Sequence, residues 1–177
     1  MNPDKADDND PFVRLESTHR RIEQRLAALE QAASEVDDSA LRPDALGTIY
    51  DVMGFLARGA VRHHEDEERS LFPRLREVPE LGELLKVLEE EHRVHDAVYA
   101  ELAAYVRAWP DEGPDRAGEA HLRALVRRLG EVYAAHIQRE ERELFPVARR
   151  LLGADVVATM GAEMIARRGD RGQRDRG

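Results

Sequence analysis

Apolar residues recur along this chain at alternating intervals of three and four, the spacing of one helix face, and they do so in four separate stretches. The first stretch carries Phe12, Leu15, His19, Ile22, Leu26, Leu29, Ala33 and Val36, and Asp10-Pro11 ahead of it reads as an N-cap followed by proline at the first helical position. Asp37 to Pro43 breaks the pattern. A second helix is expected from about Asp44, with Leu46, Ile49, Met53, Leu56, Ala60, His63 and Glu67 on one face, and Pro73 should kink or end it. The third carries Leu81, Leu85, Leu88, His92, His95, Tyr99, Leu102 and Val106 before the breaker Trp109-Pro-Asp-Glu-Gly-Pro114. The fourth carries Leu122, Val126, Leu129, Tyr133, His136 and Glu140, then Leu144, Val147 and Leu151. Short connections between four such helices predict an all-α, antiparallel up-down-up-down four-helix bundle over residues 11–152. Residues 1–10 are expected to be a disordered N-terminus. Residues 153–177 are expected to form a short amphipathic helix, over about 155–168 through Val156, Val157, Met160 and Met164, and a solvated tail.

The polar positions inside these faces repeat. His63-His-Glu-Asp-Glu-Glu-Arg-Ser-Leu-Phe-Pro73 and His136-Ile-Gln-Arg-Glu-Glu-Arg-Glu-Leu-Phe-Pro146 are identical at 7 of 11 positions. Leu15-Glu-Ser-Thr-His19-Arg and Leu88-Glu-Glu-Glu-His92-Arg are separated along the chain by the same interval as that pair. His19, His63 and Glu67 therefore recur as His92, His136 and Glu140, which implies a duplicated helical hairpin with pseudo-twofold symmetry. Counting residues to the helix ends, at the rise of an α-helix, places all four histidines at one level of the bundle.

Composition narrows the picture. Charged residues make up 36% of 177 and aromatics 5%, favouring helix. The net charge of −9 argues against a nucleic-acid partner, and the absence of cysteine excludes disulfides and thiolate ligands. No apolar run approaches a membrane span, and the polar, acidic N-terminus is unlike a signal peptide, so a cytoplasmic location is expected.

Six buried polar groups without a common partner would each cost roughly 1–3 kcal/mol. Cations remove that cost by taking imidazole nitrogen and carboxylate oxygen as ligands. Four imidazoles and two carboxylates exceed a four-coordinate site and suit two metals bridged by the carboxylates, with oxide, hydroxide or another anion balancing the charge. Such a donor set suits two iron ions, with zinc or manganese as alternatives. His95, one turn beyond His92 where the other half has Ile22, is either a further ligand or a partner of one. Tyr133, one turn before His136, reads as packing or as a partner of a ligand, with a ligand role the lesser alternative. Glu68 and Glu141, rotated about 100° from their neighbours, read as solvated groups or partners of the ligands. His64 and His121 fall off their faces and are expected at the surface. The two Leu-Phe-Pro segments read as core anchors at a kink.

On these residues the chain resembles the hemerythrin-like, or HHE cation-binding, family. That family's pattern is a His on helix one, His-x3-Glu on helix two, a His on helix three and a second His-x3-Glu on helix four. His19, His63/Glu67, His92 and His136/Glu140 match it. The resemblance implies a non-haem di-iron centre that binds dioxygen or handles peroxide or nitric oxide. The oxygen carriers of the family instead have His-x3-His on helix three and His-x4-Asp on helix four. That departure points away from reversible oxygen carriage and toward redox, peroxide-related, sensing or iron-handling roles; an enzymatic role would be peroxide decomposition or another oxidoreductase activity. Two other readings fit the residues. One is a ferritin-like carboxylate site using Glu16-x2-His19 and Glu89-x2-His92. The other is a non-catalytic, metal-stabilised bundle serving storage or protein interaction.

Overall fold

The computed structural model describes residues 10–36, 43–109, 114 and 116–174. Among them no strand occurs, and the chain is a bundle of helices. Helix α1 is Pro11–Ser34. It starts as expected, with the Asp10 side chain accepting from the amides of Phe12 (2.7 Å) and Val13 (3.2 Å). The second helix, α2, runs without interruption through Pro43–Phe55, a π turn Leu56–Ala60, Val61–Asp66, a second π turn Glu67–Leu71 and Phe72–Leu75. A 3₁₀ turn, Pro79–Leu81, leads into α3, Gly82–Arg107. The fourth helix, α4, combines Arg116–Arg139, a π turn Glu140–Leu144 and Phe145–Leu151. Last comes α5, Ala154–Arg174. The expected breaker segments 37–42 and 110–113, and most of the N-terminal segment, lie outside the described residues.

Pro73 and Pro146 do not end their helices. Proline lacks the amide that would bond one turn back, and its ring crowds the carbonyl four residues earlier. The widened π turns Glu67–Leu71 and Glu140–Leu144 sit immediately before Phe72-Pro73 and Phe145-Pro146 and accommodate both defects. The extra residue each π turn holds shifts the helix face. Within α4 beyond Glu140 the buried residues are Leu144, Phe145 and Ala148, whereas Leu151, expected inside, is exposed. A regular helical count carried through the turn runs off the core face.

The core divides into two apolar clusters. One joins the C-terminal half of α1 (Leu26, Leu29) and the start of α2 (Ile49) to the end of α3 (Leu102, Val106) and the start of α4 (Leu122). The other joins the start of α1 (Phe12, Leu15) and the end of α2 (Phe72) to the start of α3 (Leu88), the end of α4 (Phe145) and Met160 and Met164 of α5. A polar layer lies between them.

Helix α5 is longer than the 155–168 expected. Its polar side holds the second π turn. Ser70 donates to Glu163 (2.6 Å), Arg74 pairs with Glu163 (2.8 Å), and Arg167 and Arg168 reach Asp66 at 2.9 and 3.0 Å.

Candidate metal centre

The polar layer contains His19, His63, Glu67, His92, His136 and Glu140, each at most 2% exposed. They form two groups of four, His19/His63/Glu67/Glu140 and Glu67/His92/His136/Glu140, within which one donor atom per residue lies within 4.8 Å of the others. Both carboxylates belong to both groups. Every imidazole turns Nε2 inward. His19 and His63 face each other at 2.9 Å, and His92 and His136 at 3.2 Å. Glu67 directs one oxygen to His63 (3.1 Å) and the other to His92 (3.3 Å), and Glu140 Oε2 is 3.1 Å from His19 and 3.4 Å from His136.

These separations are close, yet all four oxygens of Glu67 and Glu140 are buried without a properly aligned hydrogen bond. Ligands bonded to one ion at about 2.1 Å stand roughly 3.0–3.4 Å apart, depending on whether the geometry is octahedral or tetrahedral. The donor edges of the layer therefore fit the spacing around cations, and the orphaned oxygens are what such ions would satisfy.

Protonation shows the same strain. Burial, then the charge of Glu140, push the Glu67 carboxyl well above its ordinary range. Glu140 is equally buried, but His136 and His19 outweigh that and hold it well below. Burial opposes a charged His136, yet Glu140 beside it raises it to about 9, and the same carboxylate raises His19 against its own burial. Burial and then neighbouring His19 push His63 well down. Without cations, only uneven sharing of protons keeps the layer tolerable.

The outer nitrogens are held as well. His92 Nδ1 lies 2.7 Å from Glu68, His19 Nδ1 2.9 Å from Glu141 and His136 Nδ1 3.0 Å from Glu91. Arg20 and Arg139 donate in turn to Glu141 and Glu91. A carboxylate on Nδ1 keeps the proton there and the Nε2 lone pair free for a cation. Glu68 and Glu141 are thus partners of the histidines. Glu91 is a partner that the sequence does not single out, being one acid in the run Glu89-Glu90-Glu91. Phe145 lies parallel to His19 (5.7 Å, 5°), and its counterpart in the first repeat, Phe72, to His92 (5.9 Å, 13°). Each Leu-Phe-Pro segment backs a histidine of another helix.

His95 falls in neither group. Its ring stacks on Tyr133 (4.0 Å, 13°), its Nδ1 lies 3.4 Å from His64 Nε2, and its buried Nε2 has no partner among the described residues. Burial, then His136, push its pKa to about 3, so it is neutral. His64, expected at the surface, is buried and stacks on His92 (3.9 Å, 14°). It lies about 100° around the helix from His63, on a flank that α3 covers with His92 and His95. His121 is exposed, as expected. Glu16 and Glu89 turn away from the layer to Arg149 and Arg76, at 2.9 and 3.0 Å. A cavity of about 430 Å³ is lined by His64 and His92 together with Glu68, Glu89 and Asp96.

A helical bundle whose buried layer presents paired histidines and shared carboxylates is a cation-binding protein in its construction. The hemerythrin HHE cation-binding domain model matches residues 10–148, and the chain belongs to that family. A protein of Haemophilus influenzae described only as uncharacterized is 27% identical over 161 residues, covering 90% of this chain and 91% of its own length. Among the described residues no helix is long and apolar enough to cross a membrane.

Proposed function

We propose that the layer holds two iron ions and that the chain binds or reacts with dioxygen, peroxide or nitric oxide. The observation that carries this reading is the sharing of Glu67 and Glu140 between two otherwise separate histidine pairs. One ion would be held by His19 and His63 and the other by His92 and His136, with Glu67 and Glu140 within reach of both. Zinc or manganese would fit the same donors. The convergence of opposite helix ends in each apolar cluster supports an up-down-up-down order for α1 to α4.

When bound, a pair of redox-active ions supplies electrons and open coordination positions to a small ligand. The protein's own part is to hold and shield. Glu68, Glu91 and Glu141 retain protons at Nδ1 of His92, His136 and His19, so the inward nitrogens stay available. Phe72 and Phe145 close the layer toward the α5 end and exclude water there. The cavity at His64 and His92 offers a path for a small molecule. Neutral His64 and His95 with Tyr133 line one side of the layer, where a bound ligand would find hydrogen-bonding groups. Because Glu16 and Glu89 are engaged by arginines, the carboxylate-rich ferritin-like reading has weaker support.

The test is an anaerobic titration of iron-loaded, reduced protein. A saturable optical change on adding dioxygen, peroxide or nitric oxide is expected. No change with any of the three would leave a metal-stabilised bundle without this chemistry.

A further inference from the structure

A second cavity lies beside the histidine layer. It measures about 440 Å³ between α1, α2 and the end of α5, and five of its lining residues are arginines: Arg21, Arg25, Arg58, Arg62 and Arg168. Among the described residues, Asp51 is the one acidic group in its lining. In a chain of net charge −9, so many guanidinium groups around one cavity are a local reversal of sign.

Their arrangement opposes stability. Arg21 and Arg25 are one turn apart on α1, and Arg58 and Arg62 one turn apart on α2, a spacing at which like charges repel. Arg168 pairs with Asp66 at 3.0 Å, outside the cavity lining, yet burial and the nearby Arg14, Arg21 and Arg62 still pull its pKa down. Arg62 Nε and Arg168 Nη1 are buried and have no hydrogen-bond partner among the described residues. The floor is built for the cavity too: Phe55 packs so closely on Gly59 that a Cβ there would stand 2.9 Å from its ring, and Arg25 lies over the same ring at 5.5 Å. Buried donors without partners, in a described lining of five arginines and one carboxylate, are the complement of a compact anion with several acceptor oxygens.

We propose that this cavity binds a soluble polyphosphate compound, of the inorganic pyrophosphate or nucleoside triphosphate class. Planar guanidinium forks match phosphate oxygens in pairs, and arginines from three helices suit two or more linked phosphates better than one. Thr18 and Arg62 line the cavity and directly adjoin His19 and His63 in sequence, which places it beside the first histidine pair. The site stands independently of whichever metal the layer holds.

The test is calorimetric titration of the full chain, with its metal, by pyrophosphate and by ATP at fixed ionic strength. Wild type, Arg25→Gln, Arg58→Gln and, as a control, Arg128→Gln (a residue paired with Glu101 elsewhere) are compared. Arg25 and Arg58 are exposed and touch no metal-layer residue, so folding, checked by circular dichroism, should be unchanged. Saturable binding of both compounds is expected, weakened about tenfold or more by each cavity variant, as loss of a charge-assisted contact implies, and unaltered in the control. Absence of binding, or binding that Arg25→Gln and Arg58→Gln leave intact (phosphate taken up by the metal), would overturn the proposal. So would association only with vesicles carrying phosphoinositides.

Discussion

His136 Nδ1 lies 3.0 Å from Glu91, whereas the equivalent nitrogen of His63 is buried with no partner among the described residues. The cause is one position: where the second repeat has Glu91 the first has Thr18, whose hydroxyl bonds back to the Arg14 carbonyl at 3.0 Å. The two halves of the layer thus hold their histidines differently, although their inward donors are nearly symmetric. Glu91→Gln removes the anionic acceptor and should weaken cation binding at the His136 side about 10- to 100-fold. Competition with a calibrated chelator reads this directly, and one ion should be lost well before the other.

Phe145 braces His19 by a parallel stack and is 1% exposed. Phe145→Leu keeps the site apolar but removes the flat face and leaves a void. Thermal or denaturant unfolding should show a loss of about 1–3 kcal/mol. Iron content should fall at the same time, because His19 gains freedom. Retained iron with lost stability would restrict Phe145 to packing.

The clamp of α5 on the second π turn predicts a pH effect. Arg74 beside Glu163 holds its carboxyl below its ordinary value, with a further contribution from Ser70. A carboxyl depressed in the folded state contributes stability above its unfolded value near 4.5, and that contribution disappears as pH falls through the folded value. Because the group is partly exposed, the effect should stay within about 1 kcal/mol. Stability of Glu163→Gln measured from pH 7 down to pH 3 should converge on wild type at the acid end. A difference constant across that range would contradict the ion-pair account.

Removing the cations should destabilise the bundle at its middle. Binding at a thousandfold excess over Kd stabilises by about 4 kcal/mol, which for a chain of this size is roughly 8–16 °C in Tm. Scanning calorimetry before and after exhaustive chelation should show a drop of that order, restored by adding metal back. Equal melting temperatures would mean that the layer is satisfied without ions.

Much of this was legible in the sequence because the signals were periodic and doubled. One constant offset linked His19, His63 and Glu67 to His92, His136 and Glu140, and the structure gathers those six. What escaped was phase. The π turns ahead of Pro73 and Pro146 shift the face by a residue, so Ala148 is inside and Leu151 outside. Burial of His64 depended on which helix covers that flank, a tertiary fact with no local signature. Glu91 was hidden for the opposite reason: as one acid among three, Glu89-Glu90-Glu91, it is singled out only by the approach of His136 and Arg139. The stacking of Phe72 and Phe145 on histidines of other helices also depends on packing across the bundle.

The central claim is that two histidine pairs share two carboxylates around two ions. Elemental analysis of the purified chain by plasma mass spectrometry, with protein quantified by amino-acid analysis, tests it most directly. Two metal ions per chain, falling to one or none in Glu67→Ala and Glu140→Ala, is the predicted result. A single ion per chain in the wild type after saturation with iron would contradict it.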